Sequence, residues 1–81
     1  MNCQQLMRAI DLALEGNWKN AHEIVQNYDD RYACWIHAVL HKIEGDENNS
    51  RYWYSRAGRP FASSLSDREE LEMIKTALQN E

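Results

Sequence analysis

The sequence predicts an all-α protein of five short helices, arranged as two antiparallel helical hairpins and a C-terminal capping helix in a single compact domain over residues 1–81. Three observations predict this fold class. Apolar residues recur at the spacing of a helix face, and no stretch shows the period-two alternation that is typical of a strand. The chain contains one proline and three glycines, which is few for a turn-rich β protein. An internal repeat of 29 residues divides most of the chain into two similar units.

The repeat becomes visible when the sequence is shifted against itself by 29 residues. Residues 7–21 then align with residues 36–50, and four of the 15 aligned pairs are identical, where chance gives about one. A period of this size indicates stacked supersecondary units. We therefore predict one hairpin over about 3–28, a second over about 31–58, and the capping helix over about 65–80. The identical pairs are Ala9/Ala38, Glu15/Glu44, Gly16/Gly45 and Asn20/Asn49.

The first hairpin is predicted as helices over about 3–15 and 18–28. Gly16 suits the left-handed conformation that ends a helix, and Asn17 can cap the helix that follows. A turn this short makes the two helices antiparallel neighbours. Their apolar stripes hold Leu6, Ile10, Ala13 and Leu14 in the first helix, and Trp18, Ala21, Val25 and Tyr28 in the second.

The second hairpin repeats the same turn chemistry at Gly45 and Asp46. Its helices are predicted over about 31–44 and 47–57, with an N-cap from Asp29-Asp30 and a helix end at Gly58. The first of them has a wide apolar face, which holds Tyr32, Ile36, Val39, Leu40 and Ile43.

The capping helix begins with a capping box, in which Ser66 and Glu69 each bond the other's backbone N–H. Its core stripe is Leu71, Ile74 and Leu78. We predict that the charged residues of this helix form a solvated face. They are Asp67, Arg68, Glu69, Glu70, Glu72 and Lys75.

The run Gly45-Asp46, followed by Ser50, Trp53-Tyr54 and Ala57, resembles the tetratricopeptide repeat and its Sel1-like variant. The longer string WIHAVLHKIEGD…NSRYWYSRAG also resembles a small uncharacterised helical family of bacteria and fungi, which implies no activity. The first unit departs from the pattern at Tyr28, where alanine is usual, and the period is shorter than the usual 34 residues. The resemblance implies stacked hairpins that bind peptide segments or helices, and hence a protein-interaction or adaptor module.

The composition of the chain limits the classes of partner that it can bind. The net charge of −4 predicts no binding to nucleic acid or to an anionic membrane, because polyanions repel an acidic surface. Two cysteines form neither a disulfide framework nor a zinc-ligand spacing, and no apolar leader segment follows Met1. We therefore expect a cytoplasmic protein, and a chain this short leaves a homodimer open.

His37 and His41 lie four residues apart on a predicted helix, and Glu44 follows one turn later on the same side. Two imidazoles at this spacing can chelate a transition metal, with Glu44 or Asp46 as a third ligand. The interpretation that we favour places both rings at the flank of the core, bonded to the backbone or to Glu44, and the metal site is the alternative. The zinc-protease pattern is excluded, because Ala38 stands where it needs a glutamate.

A second set of candidates lies in and around the fourth helix. Tyr52 and Arg56 share one face and can form a cation–π pair, and Arg56 and Arg59 can contact an anion or an acidic peptide. Asp46 completes the set of predicted partner-binding residues. Arg56 can instead bridge to Glu44 or Asp46 across the hairpin.

The sequence favours a non-enzymatic role, because no serine, cysteine or threonine stands in a recognisable nucleophile motif. We predict no cofactor and an unidentified protein or peptide partner. The alternative hypothesis is a small metal- or ligand-dependent enzyme that uses His37, His41, Glu44 and Asp46, with Arg56 as an anion clamp.

Overall fold

The computed structural model describes residues 3–81, so the first two residues of the predicted domain lie outside the described part. Over that range the chain forms five α-helices and no strand, as predicted. The helices are α1 Cys3–Leu14, α2 Trp18–Val25, α3 Arg31–Glu44, α4 Glu47–Ala57 and α5 Asp67–Gln79. None of the helices within residues 3–81 has the length and apolar character needed to cross a membrane.

The predicted bounds of α3 and α4 are confirmed, whereas α2 ends at Val25 and not at residue 28. The Asn27 side chain donates to the carbonyl oxygen of Glu23 at 2.9 Å. Asparagine and aspartate favour such local bonds over a continued helix, and residues 27–30 read Asn-Tyr-Asp-Asp. Asp30 caps α3 as predicted, by accepting from the backbone N–H groups of Tyr32 and Ala33.

The two hairpin turns have the same geometry. Gly16 and Gly45 have φ angles of +85° and +84°. The backbone N–H of Asn17 donates to the carbonyl oxygen of Leu12 at 2.8 Å, and that of Asp46 donates to the carbonyl oxygen of His41 at 3.0 Å. This is the six-to-one hydrogen bond of a Schellman motif. The side chains of Asn17 and Asp46 then cap α2 and α4.

α3 is the central helix, and it packs against each of the other four. α1 pairs with α2 and α3 pairs with α4, whereas α5 lies against α1 and α3. The last helix therefore covers the first helix of each hairpin and closes the molecule. All residues from Ala33 to His41 are buried as a result.

The predicted solvated face of α5 is wrong for Glu70, which is 1% exposed. Glu70 precedes Ile74 by four residues, so helix geometry places it on the buried stripe. Its carboxylate accepts from the Trp35 indole N–H at 2.9 Å, from the Tyr54 hydroxyl at 2.6 Å and from the Lys42 ammonium at 2.6 Å. We call Trp35, Lys42, Tyr54 and Glu70 the Glu70 clamp, because together they join α3, α4 and α5.

Candidate functional site

His37 and His41 are both buried, with 5% and 6% of their surface exposed. They lie one turn apart on α3, and their rings are nearly parallel with centroids 4.9 Å apart. Both histidines are therefore part of the packed interior.

His22 of α2 joins them, and the sequence analysis did not single it out. Its ring centroid lies 4.7 Å from that of His37 and 5.4 Å from that of His41. Position 22 is four residues after Trp18 and three before Val25, so it shares the predicted apolar stripe of α2. That spacing was the sequence signal that could have identified His22 as a partly buried residue. We call His22, His37 and His41 the histidine cluster.

The cluster holds two short polar contacts. The Nε2 atoms of His22 and His37 are 3.1 Å apart, so one ring donates a proton and the other accepts it. The Nδ1 atom of His41 is 2.5 Å from Oε1 of Glu44. Ligand nitrogens of the three rings lie within 4.8 Å of one another.

Burial favours the neutral form of two of these rings. Burial first, and then repulsion from the like charges of His22 and His41, lowers the pKa of His37 to about 3. Burial, followed by the same repulsion from His41, also lowers the pKa of His22. Both rings are therefore neutral at pH 7, the state in which an imidazole nitrogen has a free lone pair.

Two indoles flank the cluster. Trp53 of α4 stacks on His37 with centroids 3.9 Å apart, and Trp18 stacks on His22 at 4.8 Å. Trp18 is held in place because its indole N–H donates to the carbonyl oxygen of Leu40 at 2.6 Å. The three rings are thus packed against aromatic side chains of α2 and α4.

The two carboxylates predicted beside the histidines have different roles. Glu44 contacts His41, and Asp46 caps α4 by accepting from the backbone N–H of Asn49 at 3.3 Å. Ligand atoms of His41, Glu44 and Asp46 also lie within 4.8 Å of one another, and both carboxylates are exposed. His41 is the residue that the two groups share: its ligand atoms lie within 4.8 Å of those of His22 and His37, and within 4.8 Å of those of Glu44 and Asp46. The predicted set His37, His41 and Glu44 does not form such a group, because His22 takes the place of Glu44.

Comparisons of the chain with protein-family models, with curated proteins and with solved structures each found no match. The resemblance to tetratricopeptide and Sel1-like repeats therefore stays a prediction. The functional proposals below rest on the geometry of this chain alone.

A groove of about 910 Å³ runs between the start of α3, the end of α4 and α5. We call it the α5 groove. Its wall carries Trp35, and the guanidinium carbon of Arg59 lies 3.6 Å from the centroid of that indole ring. The groove is lined by Arg31, Tyr32, Trp35, Ala57, Gly58, Arg59, Leu65, Arg68, Glu69, Glu72, Met73, Thr76 and Ala77.

The four predicted partner-binding residues do not form one surface. Arg59 lines the α5 groove, whereas Asp46 lies at the other end of α4, about 17 Å away along an 11-residue helix. Tyr52 and Arg56 form the predicted pair: Arg56 donates to the Tyr52 hydroxyl at 3.1 Å, with its guanidinium 5.9 Å from the ring centroid. This bond raises the pKa of Arg56.

Cys34 is a buried thiol, as predicted, and is 1% exposed. It donates a weak hydrogen bond to the carbonyl oxygen of Asp29 at 3.6 Å. Burial raises the pKa of this thiol, which disfavours the reactive thiolate.

Proposed function

We propose that this protein is a non-enzymatic interaction module that binds, in the α5 groove, an apolar peptide segment flanked by acidic side chains. The observation that carries the proposal is the Arg59 guanidinium stacked on Trp35 at the groove wall. An arginine held against an aromatic ring presents its N–H groups in a fixed plane, which suits a carboxylate. The partner class follows from what lies around this pair.

Charge complementarity favours an acidic partner. The chain has a net charge of −4, yet three of its arginines line this one groove. Among residues 3–81, no carboxylate lies within 4.0 Å of Arg31 or Arg59, whereas Arg68 has Glu72 at 3.9 Å. Two cationic groups at the start of α3 and the end of α4 are therefore available to an anionic group.

The apolar part of the groove lining favours an apolar side chain between those contacts. Trp35, Ala57 and Ala77 contribute apolar surface, and Met73 is 43% exposed at its edge. Burying an apolar side chain there gains about 25 cal/mol for each Å² removed from water. Methionine adapts its shape to different partners, which suits a peptide-binding surface.

The test is a selection of random peptides on the immobilised protein, followed by titration of a selected peptide. We expect enriched sequences with Asp or Glu beside a large apolar residue, and affinity that falls as salt rises. The variant Arg59→Glu should weaken binding at least tenfold. The matched control Arg8→Glu makes the same charge change at an exposed position of α1, outside the groove, and should change affinity less than twofold.

Three results would contradict the proposal. They are a selection without an acidic–apolar consensus, equal affinity for Arg59→Glu and the unchanged protein, or equal losses in the Arg59→Glu and Arg8→Glu variants. Far-ultraviolet circular dichroism of both variants shows that each keeps its helices, so a loss of binding reports on the groove.

A further inference from the structure

We infer that His22, His37 and His41 form a binding site for a divalent transition-metal ion of the zinc class, with Glu44 as a positioning residue. This site lies outside the α5 groove, and neither inference depends on the other. The sequence alone offered Glu44 or Asp46 as the third ligand; the structure supplies a third imidazole in their place.

Ligand spacing is the first step. Zn²⁺ holds imidazole nitrogens at about 2.0–2.1 Å in a tetrahedron, which places neighbouring nitrogens about 3.3 Å apart. The Nε2 atoms of His22 and His37 are already 3.1 Å apart, and the proton between them moves to the Nδ1 atom of the donating ring when the ion binds, which frees both Nε2 lone pairs. Ligand nitrogens of the three rings all lie within 4.8 Å of one another, so the third nitrogen comes closer by at most about 1.5 Å to reach the tetrahedral spacing.

The hydrogen bond of His41 is the second step. A ring that binds a metal through one nitrogen usually donates from the other nitrogen to a carboxylate or a carbonyl, which fixes its tautomer. His41 has this arrangement, because its Nδ1 contacts Glu44 at 2.5 Å. With the proton on Nδ1, the Nε2 atom of His41 has the free lone pair.

Access and selectivity form the third step. Among residues 3–81, no fully buried side-chain nitrogen or oxygen lacks a hydrogen-bond partner, so the unbonded Nε2 atom of His41 keeps some solvent contact. An ion can enter beside His22, the most exposed of the three rings. The set contains imidazoles without a thiolate, which suits Zn²⁺, Cu²⁺ or Ni²⁺ and disfavours Mg²⁺.

The placement of the ligands also gives the ion a structural effect. His22 belongs to the first hairpin, and His37 and His41 belong to the second. An ion bound to all three joins the hairpins across the contact between α2 and α3. Three protein ligands leave one tetrahedral position for water or an exchangeable anion.

The decisive experiment titrates metal-free protein with ZnCl₂ at pH 7.5 by calorimetry and by thermal unfolding, with MgCl₂ as the control salt. We expect one Zn²⁺ per chain, and a rise in Tm of at least about 8 °C at a hundredfold excess over Kd. X-ray absorption should show nitrogen ligands at about 2.0–2.1 Å and no sulfur at about 2.3 Å. MgCl₂ should leave Tm unchanged.

Variants separate the site from nonspecific binding. His22→Gln changes the half-buried ring, keeps the helix, and should weaken Zn²⁺ binding at least a hundredfold. Glu44→Gln should weaken it about 10–100-fold, because the outer hydrogen bond tunes His41. Its matched control is Glu47→Gln, an exposed carboxylate paired with Arg51, which should leave Zn²⁺ affinity unchanged.

The inference is overturned by a folded protein with a Kd for Zn²⁺ weaker than about 1 mM. It is equally overturned if His22→Gln binds Zn²⁺ as tightly as the unchanged chain, or if the absorption spectrum shows a sulfur ligand. In each of these cases the contact between His22 and His37 is a packing hydrogen bond only.

Discussion

Two polar clusters lie against different faces of α3, and their buried groups are satisfied in opposite ways. The Glu70 clamp holds one carboxylate with three donors, from Trp35, Tyr54 and Lys42. The three rings of the histidine cluster have only two polar contacts: one between His22 and His37, and one between His41 and Glu44. The clamp has little capacity for a further partner, whereas the histidine cluster keeps unshared lone pairs.

The difference shows two ways in which a small domain accommodates polar side chains in its interior. A buried charge is tolerated when every hydrogen bond is made, and it then holds the helices in one arrangement. Neutral imidazoles lose less on burial, so they can remain partly unsatisfied where solvent reaches them. The clamp therefore holds α5 in place, whereas the histidine cluster keeps ring nitrogens without a hydrogen-bond partner.

The largest expected effect is that of removing the carboxylate from the clamp. Glu70→Ala leaves an indole N–H and a hydroxyl without their acceptor. It also removes the buried carboxylate that pairs with the Lys42 ammonium, which keeps only the carbonyl oxygens of Ala62 and Leu65. The variant should cost about 3–5 kcal/mol of unfolding free energy. That is a large part of the stability of an 81-residue domain. Urea denaturation measures it.

Two further variants keep this prediction testable. Glu70→Gln retains an acceptor for Trp35 and Tyr54 and should cost less than Glu70→Ala. The control Glu72→Ala lies two residues away on the exposed side of α5 and should cost less than about 1 kcal/mol. Equal losses for Glu70→Ala and Glu72→Ala would show that the clamp does not hold α5 in place.

The second effect is a pH dependence that comes from the histidine cluster. The pKa of His37 is lowered to about 3 in the folded protein and is about 6.5 in the unfolded chain, so the unfolded state binds more protons between these values. The stabilisation is complete above pH 6.5 and is lost as the pH falls from 6.5 towards 3. We expect a loss of about 3 kcal/mol in metal-free protein between pH 7 and pH 4.

Urea denaturation at a series of pH values measures this slope. His37→Gln cannot titrate in this range, so its slope between pH 6.5 and pH 4 should be clearly shallower than that of the unchanged chain. The lowered pKa of His22 acts with the same sign and leaves part of the slope in that variant. Identical slopes would mean that the rings are already exposed to solvent in the folded state.

The sequence predicted those parts of the fold that depend on neighbouring residues. Local chemistry determines three kinds of feature, and the structure confirms them all. They are the turns at Gly16 and Gly45, the caps at Asp30 and Ser66, and the bounds of α3 and α4. The early end of α2 was missed because local side-chain bonds there outweighed a weak apolar stripe. The confirmed turns, caps and helix bounds, and the missed end of α2, all depend on interactions between residues that are close in sequence.

The polar clusters depend on contacts between distant helices, and there the sequence was less informative. His37 and His41 were visible because they share one helix, but His22 required knowledge that α2 packs across α3. Glu70 lies at the right spacing for the core, yet its charge placed it on the predicted solvated face. Its burial becomes intelligible only when Lys42 and Tyr54 of other helices are known to face it.

The smallest expected effect is that of Glu44→Gln. This variant compares Glu44, which contacts the buried His41 ring, with Glu70 of the clamp. Glu44 bonds His41, but its side chain is 39% exposed, so water competes for the contact. Glu44→Gln should therefore change the unfolding free energy of metal-free protein by only about 0.5 kcal/mol. A loss of several kcal/mol, as expected for Glu70→Ala, would mean that the His41–Glu44 pair is a second structural clamp. A small loss leaves Glu44 as a residue whose contribution appears only when the cluster holds an ion.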